Sequence, residues 1–297
     1  MYDINKVNTH IIPVEFEYIS PESLDEAIGL LRKYGSEARI LAGGTDLLVD
    51  LKQRAREPKY IISLKRLPLS YIEENESGIR IGAATRLRML ERSPLIREKF
   101  PVLYDAIRAI GSVQIRNMAT IGGNLCNASP AADSAPALLV LEARVRMAGP
   151  DGEREIPIQE FFIGPKKTSL RSDEILKEIF VPYMPPNSYT SFLRISRTSM
   201  DIAKINIAAF LRMNGERVEE CRIALGAVAP TPIRVKRAEE FLKGKALSEE
   251  VLKEAGEIVS QEISPITDIR ATAEWRREVS KVLTRDAILK AVEGRVK

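Results

Sequence analysis

Two glycine pairs carry the residue types best suited to chemistry in this chain. The longer stretch reads Ala119-Thr120-Ile121-Gly122-Gly123-Asn124-Leu125-Cys126-Asn127-Ala128-Ser129-Pro130-Ala131-Ala132-Asp133. Adjacent glycines among small neighbours let a ligand lie on the backbone, because a residue without Cβ permits close approach and unusual dihedrals. Backbone N–H groups in such a turn form a concave site for an anion such as a pyrophosphate. Thr120, Asn124, Asn127 and Ser129 add hydroxyl and amide groups that reach a ribose or a phosphate. Asp133 is the one charged residue of the stretch. The shorter stretch, Ile40-Leu41-Ala42-Gly43-Gly44-Thr45-Asp46-Leu47-Leu48, runs from an apolar strand-like piece through a glycine pair into a helical pattern. In that setting phosphates meet a helix N-terminus. Taken singly, each pair is more often a plain turn.

Several chemistries are hard to build from this composition. The chain of 297 residues has one histidine, His10, and two cysteines, Cys126 and Cys221. A Ser-His-Asp triad or a zinc site of several histidines is therefore not expected, and His10 reads as an exposed residue near the terminus. An iron–sulfur cluster normally needs four thiolates, so this chain does not bind one alone. No CxxC spacing or disulfide framework exists, which points to a reducing, cytoplasmic compartment. Cys126 reads as a small buried thiol. The net charge of +4 is dispersed. Lys65-Arg66, Lys166-Lys167 and Arg276-Arg277 read as solvated surface, with phosphate or an acidic partner subunit as the alternative. No aromatic-interleaved basic stripe suggests nucleic acid. No signal-peptide pattern opens the chain, and no apolar run reaches the roughly 18 residues of a membrane span. No GxGxxG follows a strand and no GxxxxGK[ST] occurs, so a dinucleotide would have to be clamped by two separate glycine loops.

The elements that must position those loops follow from local pattern. Ser20 and Pro21 open a helix whose Leu24, Ala27, Ile28 and Leu31 share one face, and Gly35 ends it. Ala38 to Leu41 and Tyr60 to Leu64 read as strands, with a helix across Asp46 to Arg54 between them. This makes a small α/β unit. A hairpin turns at Asn75 to Gly78. Thr85 caps a helix through Arg92, and another helix runs from Pro101 to Ile110. Asp133 to Glu142 is a short helix, and Arg144 to Ala148 and Glu174 to Val181 are strands of a second α/β unit. Pro182 to Ser188 marks a boundary. Strand candidates follow at Tyr189 to Ser196, Ile202 to Met213 and Val218 to Ala229, the last two joined by a tight turn at Asn214-Gly215. Helical patterns at 235–243, 249–262 and 272–292 close an α+β unit.

The two loops together resemble the FAD-binding subunit of the xanthine dehydrogenase and carbon monoxide dehydrogenase family of molybdenum hydroxylases. The matching residues are Ala42 to Asp46, Thr120 to Asn124, Ala128 to Pro130 and Asp133. Further matches are Glu174 to Leu176, Val181 to Tyr183, and Phe192 through Lys204. The resemblance implies an α+β chain: a two-subdomain (PCMH-type) FAD-binding domain at 1–66 and 67–183, then a smaller C-terminal domain at 184–297 with an antiparallel sheet and helices. It implies FAD between the subdomains. Arg39, Ile40, Leu41, Ala42, Gly43, Gly44, Thr45, Asp46 and Leu47 would form the first cofactor segment. Ile110, Ala119, Thr120, Gly123, Asn124, Asn127, Ala132 and Asp133 would form the second, with Ile175 and Leu176 near the flavin ring and Arg194 as a basic contact. The amides of both glycine pairs would meet the pyrophosphate. Thr45 and Asp133 each have a plain alternative as helix caps. The resemblance further implies a small [2Fe-2S] subunit, a large molybdopterin subunit and an acceptor such as NAD or a quinone. Two rival readings stand beside it: a free-standing FAD-dependent oxidoreductase, and a non-catalytic nucleotide-binding or scaffold protein.

Overall fold

In the computed structural model, which describes residues 12–293, three sheets of three or more strands succeed one another along the chain. His10 lies outside the described residues. The first sheet is parallel. It holds β1 (Glu17–Ile19), β2 (Ala38–Leu41) and β3 (Tyr60–Ser63) in the order β1-β3-β2. Helix α1 (Leu24–Tyr34) links β1 to β2, and α2 (Leu47–Lys52) lies between β2 and β3. The cap of α1 is Ser23, not Ser20: its Oγ accepts from Glu26 N at 3.1 Å. Ser23 to Glu26 is a capping-box sequence. Gly35 ends the helix at φ +51.

The second sheet holds β4 (Ile72–Asn75), β5 (Gly78–Gly82), β6 (Arg144–Gly149), β7 (Gly152–Pro157) and, after a small hairpin of β8 (Phe162–Gly164) and β9 (Lys167–Thr168), β10 (Ile175–Pro182). Its order is β4-β5-β10-β6-β7, antiparallel throughout. Only the first unit is therefore α/β in the sense expected. Six helices lie between β5 and β6: α3 (Leu87–Arg92), α4 (Pro94–Lys99), α5 (Pro101–Ala109), α6 (Val113–Met118), α7 (Ile121–Cys126) and α8 (Ser134–Val140). Thr85 does not cap α3. It is fully buried, and its Oγ1 accepts from Tyr71 N at 3.0 Å and donates to Tyr71 O at 2.9 Å. The longer glycine stretch is not a loop either. Gly122 and Gly123 form the first turn of α7, with Thr120 as its cap.

The third sheet holds β11 (Ser188–Ile195), β12 (Ile205–Asn214), β13 (Arg217–Gly226) and β14 (Ile233–Arg234), antiparallel and in chain order. Helices α9 (Lys236–Leu242), α10 (Glu249–Glu262) and α11 (Ala273–Glu293) cover one face. Strand β12 is buried on both sides, which explains its near-continuous apolar run. Alternate residues Ile205, Ile207, Ala209 and Leu211 enter the core under those helices, whereas Ala208 and Phe210 enter the core of the second unit. The turn between β12 and β13 sits one residue later than expected. Asn214 still pairs with Arg217, and Gly215 takes φ +58. β13 stops at Gly226 because Ala227 adopts φ +62 and its amide donates to Pro130 O at 2.7 Å.

Gly122 joins the second sheet to α7. Its amide donates to Ala83 O at 2.9 Å. A Cβ there would lie 2.6 Å from both the Cβ and the carbonyl oxygen of Ala83. We expect Gly122→Ala to destabilise the fold by about 1–3 kcal/mol, the cost of overpacking a closed contact. Chemical denaturation with wild-type chain alongside checks it, and an unchanged midpoint would refute the claim that this contact is closed.

Candidate functional site

A cleft of about 500 Å³ lies where the three units meet. That is within the size range of cofactor sites. Its walls come from the β2–α2 turn, from α7 and the segment after it, from the end of α5, from the start of β10, and from the loop before β12. The cleft gathers Arg39, Ile40, Ala42, Gly43, Gly44, Thr45, Asp46 and Leu47 with Ile110, Ala119, Thr120, Gly123, Asn124, Asn127, Ala132, Asp133, Ile175 and Leu176. Leu41 and Arg194 are not among the lining residues.

The two glycine pairs do different work. In the β2–α2 turn the backbone leaves the strand, Gly44 takes φ +76, and α2 begins at Leu47. The amides of Gly43, Gly44, Thr45 and Asp46 have no intramolecular acceptor among the described residues. Asp46 occupies the cap position of α2 without a side-chain cap bond, and Thr45 does not cap it either. The amides of the second pair are spent inside the protein. Gly122 N donates to Ala83 O, and Gly123 N donates to Thr120 Oγ1 at 3.0 Å. Ile121 N and Asn124 N are also engaged, with Thr85 O and Thr120 O. The expectation that both pairs offer their amides to a pyrophosphate is thus corrected for the second pair, which builds a capped helical turn, whereas the amides of the first have no acceptor among the described residues. The two segments touch directly. A Cβ on Gly43 would stand 2.1 Å from Met118 O, and Asn127 Nδ2 donates to Asp46 Oδ1 at 2.8 Å. Asn124 Oδ1 accepts from Ser134 Oγ at 2.5 Å.

The opposite end is apolar. Ile110 ends α5 and is followed by Gly111 at φ +51. Ile175 and Leu176 open β10, each 3% exposed. A bulge between Leu176 and Glu178 breaks the β10–β6 register there. Bulges of this kind re-aim side chains beside functional sites.

Behind this end lies a buried polar group. Asp133 Oδ1 accepts from Asn206 Nδ2 at 2.7 Å, and Arg194 Nε stands 3.7 Å away. Asp133 occupies the cap position of α8 but makes no side-chain cap bond. The Arg194 guanidinium donates to Ala109 O and Asp201 O, with Ser199 O at 3.3 Å. It braces the end of α5 against the 196–204 loop, and that is why it does not line the cleft. The loop itself supplies Met200, Asp201 and Ile202 to the wall; Asp201 and Ile202 belong to the segment Asp201 to Lys204, whose sequence reads as structural or partner-facing.

Most carboxylates of the cleft are neutralised locally. Glu174 accepts two bonds from Arg154, at 2.7 Å each. Asp50 pairs with Arg56 at 2.9 Å, and Asp201 with Arg197 at 2.5 Å. Cys126 is exposed to the cleft rather than buried. The protein around it nonetheless desolvates its thiol and pushes it up to about 12, so it is protonated at neutral pH. No cluster of His, Cys, Asp and Glu capable of holding a metal occurs among the described residues.

Comparison with known proteins decides the family. Residues 14–184 match the FAD binding domain in molybdopterin dehydrogenase, and residues 190–291 match the CO dehydrogenase flavoprotein C-terminal domain. The chain is an FAD-binding subunit of the molybdopterin dehydrogenases. Within this family it is 35% identical over 276 residues to the glyceraldehyde dehydrogenase medium chain of Sulfolobus acidocaldarius, covering 93% of this chain and 98% of that one. It is 36% identical over 279 residues to the xanthine dehydrogenase FAD-binding subunit of Escherichia coli O157:H7, covering 93% and 95%. It superposes on a chain of the solved carbon monoxide dehydrogenase of Hydrogenophaga pseudoflava with a TM-score of 0.92 at 34% identity, covering 95% and 98%. The α+β architecture expected from the resemblance, and FAD as cofactor, are those of this family. No helix among the described residues is long and apolar enough to cross a membrane.

Burial in the polar group behind the cleft pushes the Asp133 carboxyl up to about 6, against the smaller opposing pulls of Arg194 and the Asn206 bond. A carboxyl whose folded value is raised binds its proton more tightly when folded, so its stabilisation is full below the unfolded value and is lost as pH rises through the folded one. Between about pH 4 and 6 this group should make stability fall with rising pH, by up to about 3 kcal/mol. Asp133→Asn should remove that fall. Urea midpoints measured across this range for both chains check it, and parallel pH profiles would contradict the buried-carboxyl account.

Proposed function

We propose that this chain is the FAD-carrying medium subunit of a three-subunit molybdenum hydroxylase. In this reading it takes electrons from the [2Fe-2S] clusters of a small partner, themselves supplied by a large molybdopterin subunit, and passes them to an acceptor such as NAD or a quinone. The observation that carries the reading is the run of amides at Gly43 to Asp46 with no acceptor among the described residues, on a cleft also lined by the apolar Ile110, Ile175 and Leu176. Bound FAD supplies the electron exchange, and the protein supplies binding, orientation and electrostatics. The amides of the first glycine pair and the polar groups of Thr45, Asn124 and Asn127 hold the pyrophosphate and ribose. Asp133 accepts hydrogen bonds from hydroxyl or amino groups of the cofactor. Ile110, Ile175 and Leu176 give apolar contact to the ring system. Arg39, Ile40, Leu41 and Leu47 complete the first segment, and Arg194 acts from behind it. Division of the chain at 66/67 and 183/184 belongs to the same proposal, and each segment then holds one of the three large sheets.

The lining residues also favour this reading over a free-standing oxidoreductase. The carboxylates Glu174, Asp50 and Asp201 are locked to arginines, and the Cys126 thiol is protonated. None of these is poised as a base for an organic substrate.

An absorbance spectrum of the purified chain before and after adding FAD tests the reading. A bound flavin band without iron–sulfur absorbance is expected, and failure to take up FAD would remove it. Gly123 separates cofactor space from fold. Apart from Thr120 Oγ1 at 2.9 Å, a Cβ there meets no non-neighbouring atom within 4 Å. Gly123→Val should lose flavin because its branches occupy the cleft, with far-UV circular dichroism showing that the chain still folds, since the new Cβ lies 2.9 Å from the capping Thr120 Oγ1. Full flavin content in that variant would sink the assignment of α7 to the cofactor site. Cys126→Ser should retain flavin, with loss of the band showing a role for the thiol.

A further inference from the structure

One lysine at the cleft has no place in the account above. Lys166 lies in the two-residue turn between β8 and β9, where Gly164 pairs with Lys167. Its φ is +59. Proline followed by a positive-φ residue is the pattern of a type II turn, and glycine or asparagine normally fills that second position. A lysine there carries a backbone cost that glycine would not. Such a cost persists only where the surroundings fix it, and here they do. Lys166 N donates to Ala128 O at 3.0 Å, which docks the turn on the segment after α7. Lys166 Nζ donates to Asn127 Oδ1 at 2.7 Å, and Asn127 in turn bonds Asp46. The ammonium therefore stands where the two glycine segments meet, on the wall of the cleft. Its bonded partner is a neutral amide. No carboxylate forms an ion pair with it among the described residues, whereas Arg56 on the same cleft is engaged with Asp50. A cation held in place beside those amides, paired with no carboxylate directly and reaching Asp46 only through Asn127 and by charge at longer range, is the counterpart of an anionic phosphate oxygen.

We propose that Lys166 is the cation that recognises the pyrophosphate of the flavin dinucleotide, and that it selects FAD over flavins lacking the diphosphate. This rests on the FAD reading above and adds to it a residue of the cofactor site. The test is a fluorescence titration of the flavin-stripped full chain with FAD and with riboflavin, at low and high salt. Lys166→Met should weaken FAD about tenfold, the scale of a lost hydrogen bond to a charged group. It should also flatten the salt dependence and leave riboflavin affinity unchanged. Lys166→Gly should show the same FAD loss while melting no lower than wild type, because the turn is relieved. Lys166→Arg should stay within about threefold of wild type, since the charge is kept while the point-like ammonium geometry changes. Wild-type FAD affinity and salt dependence in Lys166→Met would overturn the proposal while leaving FAD binding intact. Equal losses of FAD and riboflavin would also overturn it, by showing that cleft shape is what changed. No uptake of FAD by the wild-type chain would bring down the FAD reading, and this inference with it.

Discussion

The cleft depends on one close approach, of the backbone at Gly43 to the carbonyl of Met118. With a Cβ at that position the separation would be 2.1 Å, which no side chain tolerates. The contact brings the turn after β2 against the end of α6, so the two units share a seam rather than a gap. A second seam, Gly122 against Ala83, fixes α7 at the end of β5 in the second sheet. Together they explain why glycines occur in pairs that do not act alike. In each pair one residue serves packing: Gly43 in the first, Gly122 in the second. The other serves the cavity. Gly44 turns the backbone at φ +76, and Gly123 lines the cleft, where a Cβ would meet only the capping Thr120 Oγ1.

The third sheet is bound to the site by the same economy of space. Because β12 is buried on both faces, every second residue must suit the core of the second unit. Ala208 and Phe210 do so by packing. Asn206 lies on that face as well and does so by a bond to Asp133. Arg222 on β13 reaches the same side, where its guanidinium donates to Val140 O at the end of α8 and lies over the ring of Phe210. A cation at a helix C-terminus is favourably placed against the dipole. The C-terminal sheet thus supports both ends of α8, whose first residue follows Asp133. A change in that sheet therefore reaches the cleft wall through α8 and through Arg194.

The sequence was legible where chemistry and local pattern coincide. Both glycine stretches, the apolar face of α1 with its Gly35 stop, and the long helices of the last third all follow from periodicity and caps that act within a few residues. What was not legible depends on distant partners. Whether Gly122 sits in a loop or a helix is decided by Ala83, some forty residues earlier, taking its amide. The destination of Thr85 is decided by Tyr71 rather than by the helix it precedes. Arg194 enters the cofactor set only through the family resemblance, and its guanidinium donates to carbonyls of α5 and of its own following loop. Lys166 reads as half of a surface pair, because nothing local reveals that its turn docks on Ala128. Met200 to Ile202 reach the cleft only because β11 and β12 fold back on the second unit.

The electrostatics of the cleft bear on what kind of chemistry it suits. An enzyme that moves protons needs a group whose ionisation lies near the working pH and which can reach substrate. Here the group nearest that condition, Asp133, is committed to Asn206 and faces Arg194 from within the protein. The remaining lining carboxylates close to arginines are fixed by short ion pairs, and the exposed thiol is held in its neutral form. Fixed charges cost no reorganisation when an electron arrives, whereas titrating ones would couple each transfer to a proton. A site most of whose carboxylates are already fixed by arginines is suited to holding a redox cofactor at constant local potential. That property suits the electron-passing role proposed for this chain, and an enzyme reading its own organic substrate would give it up.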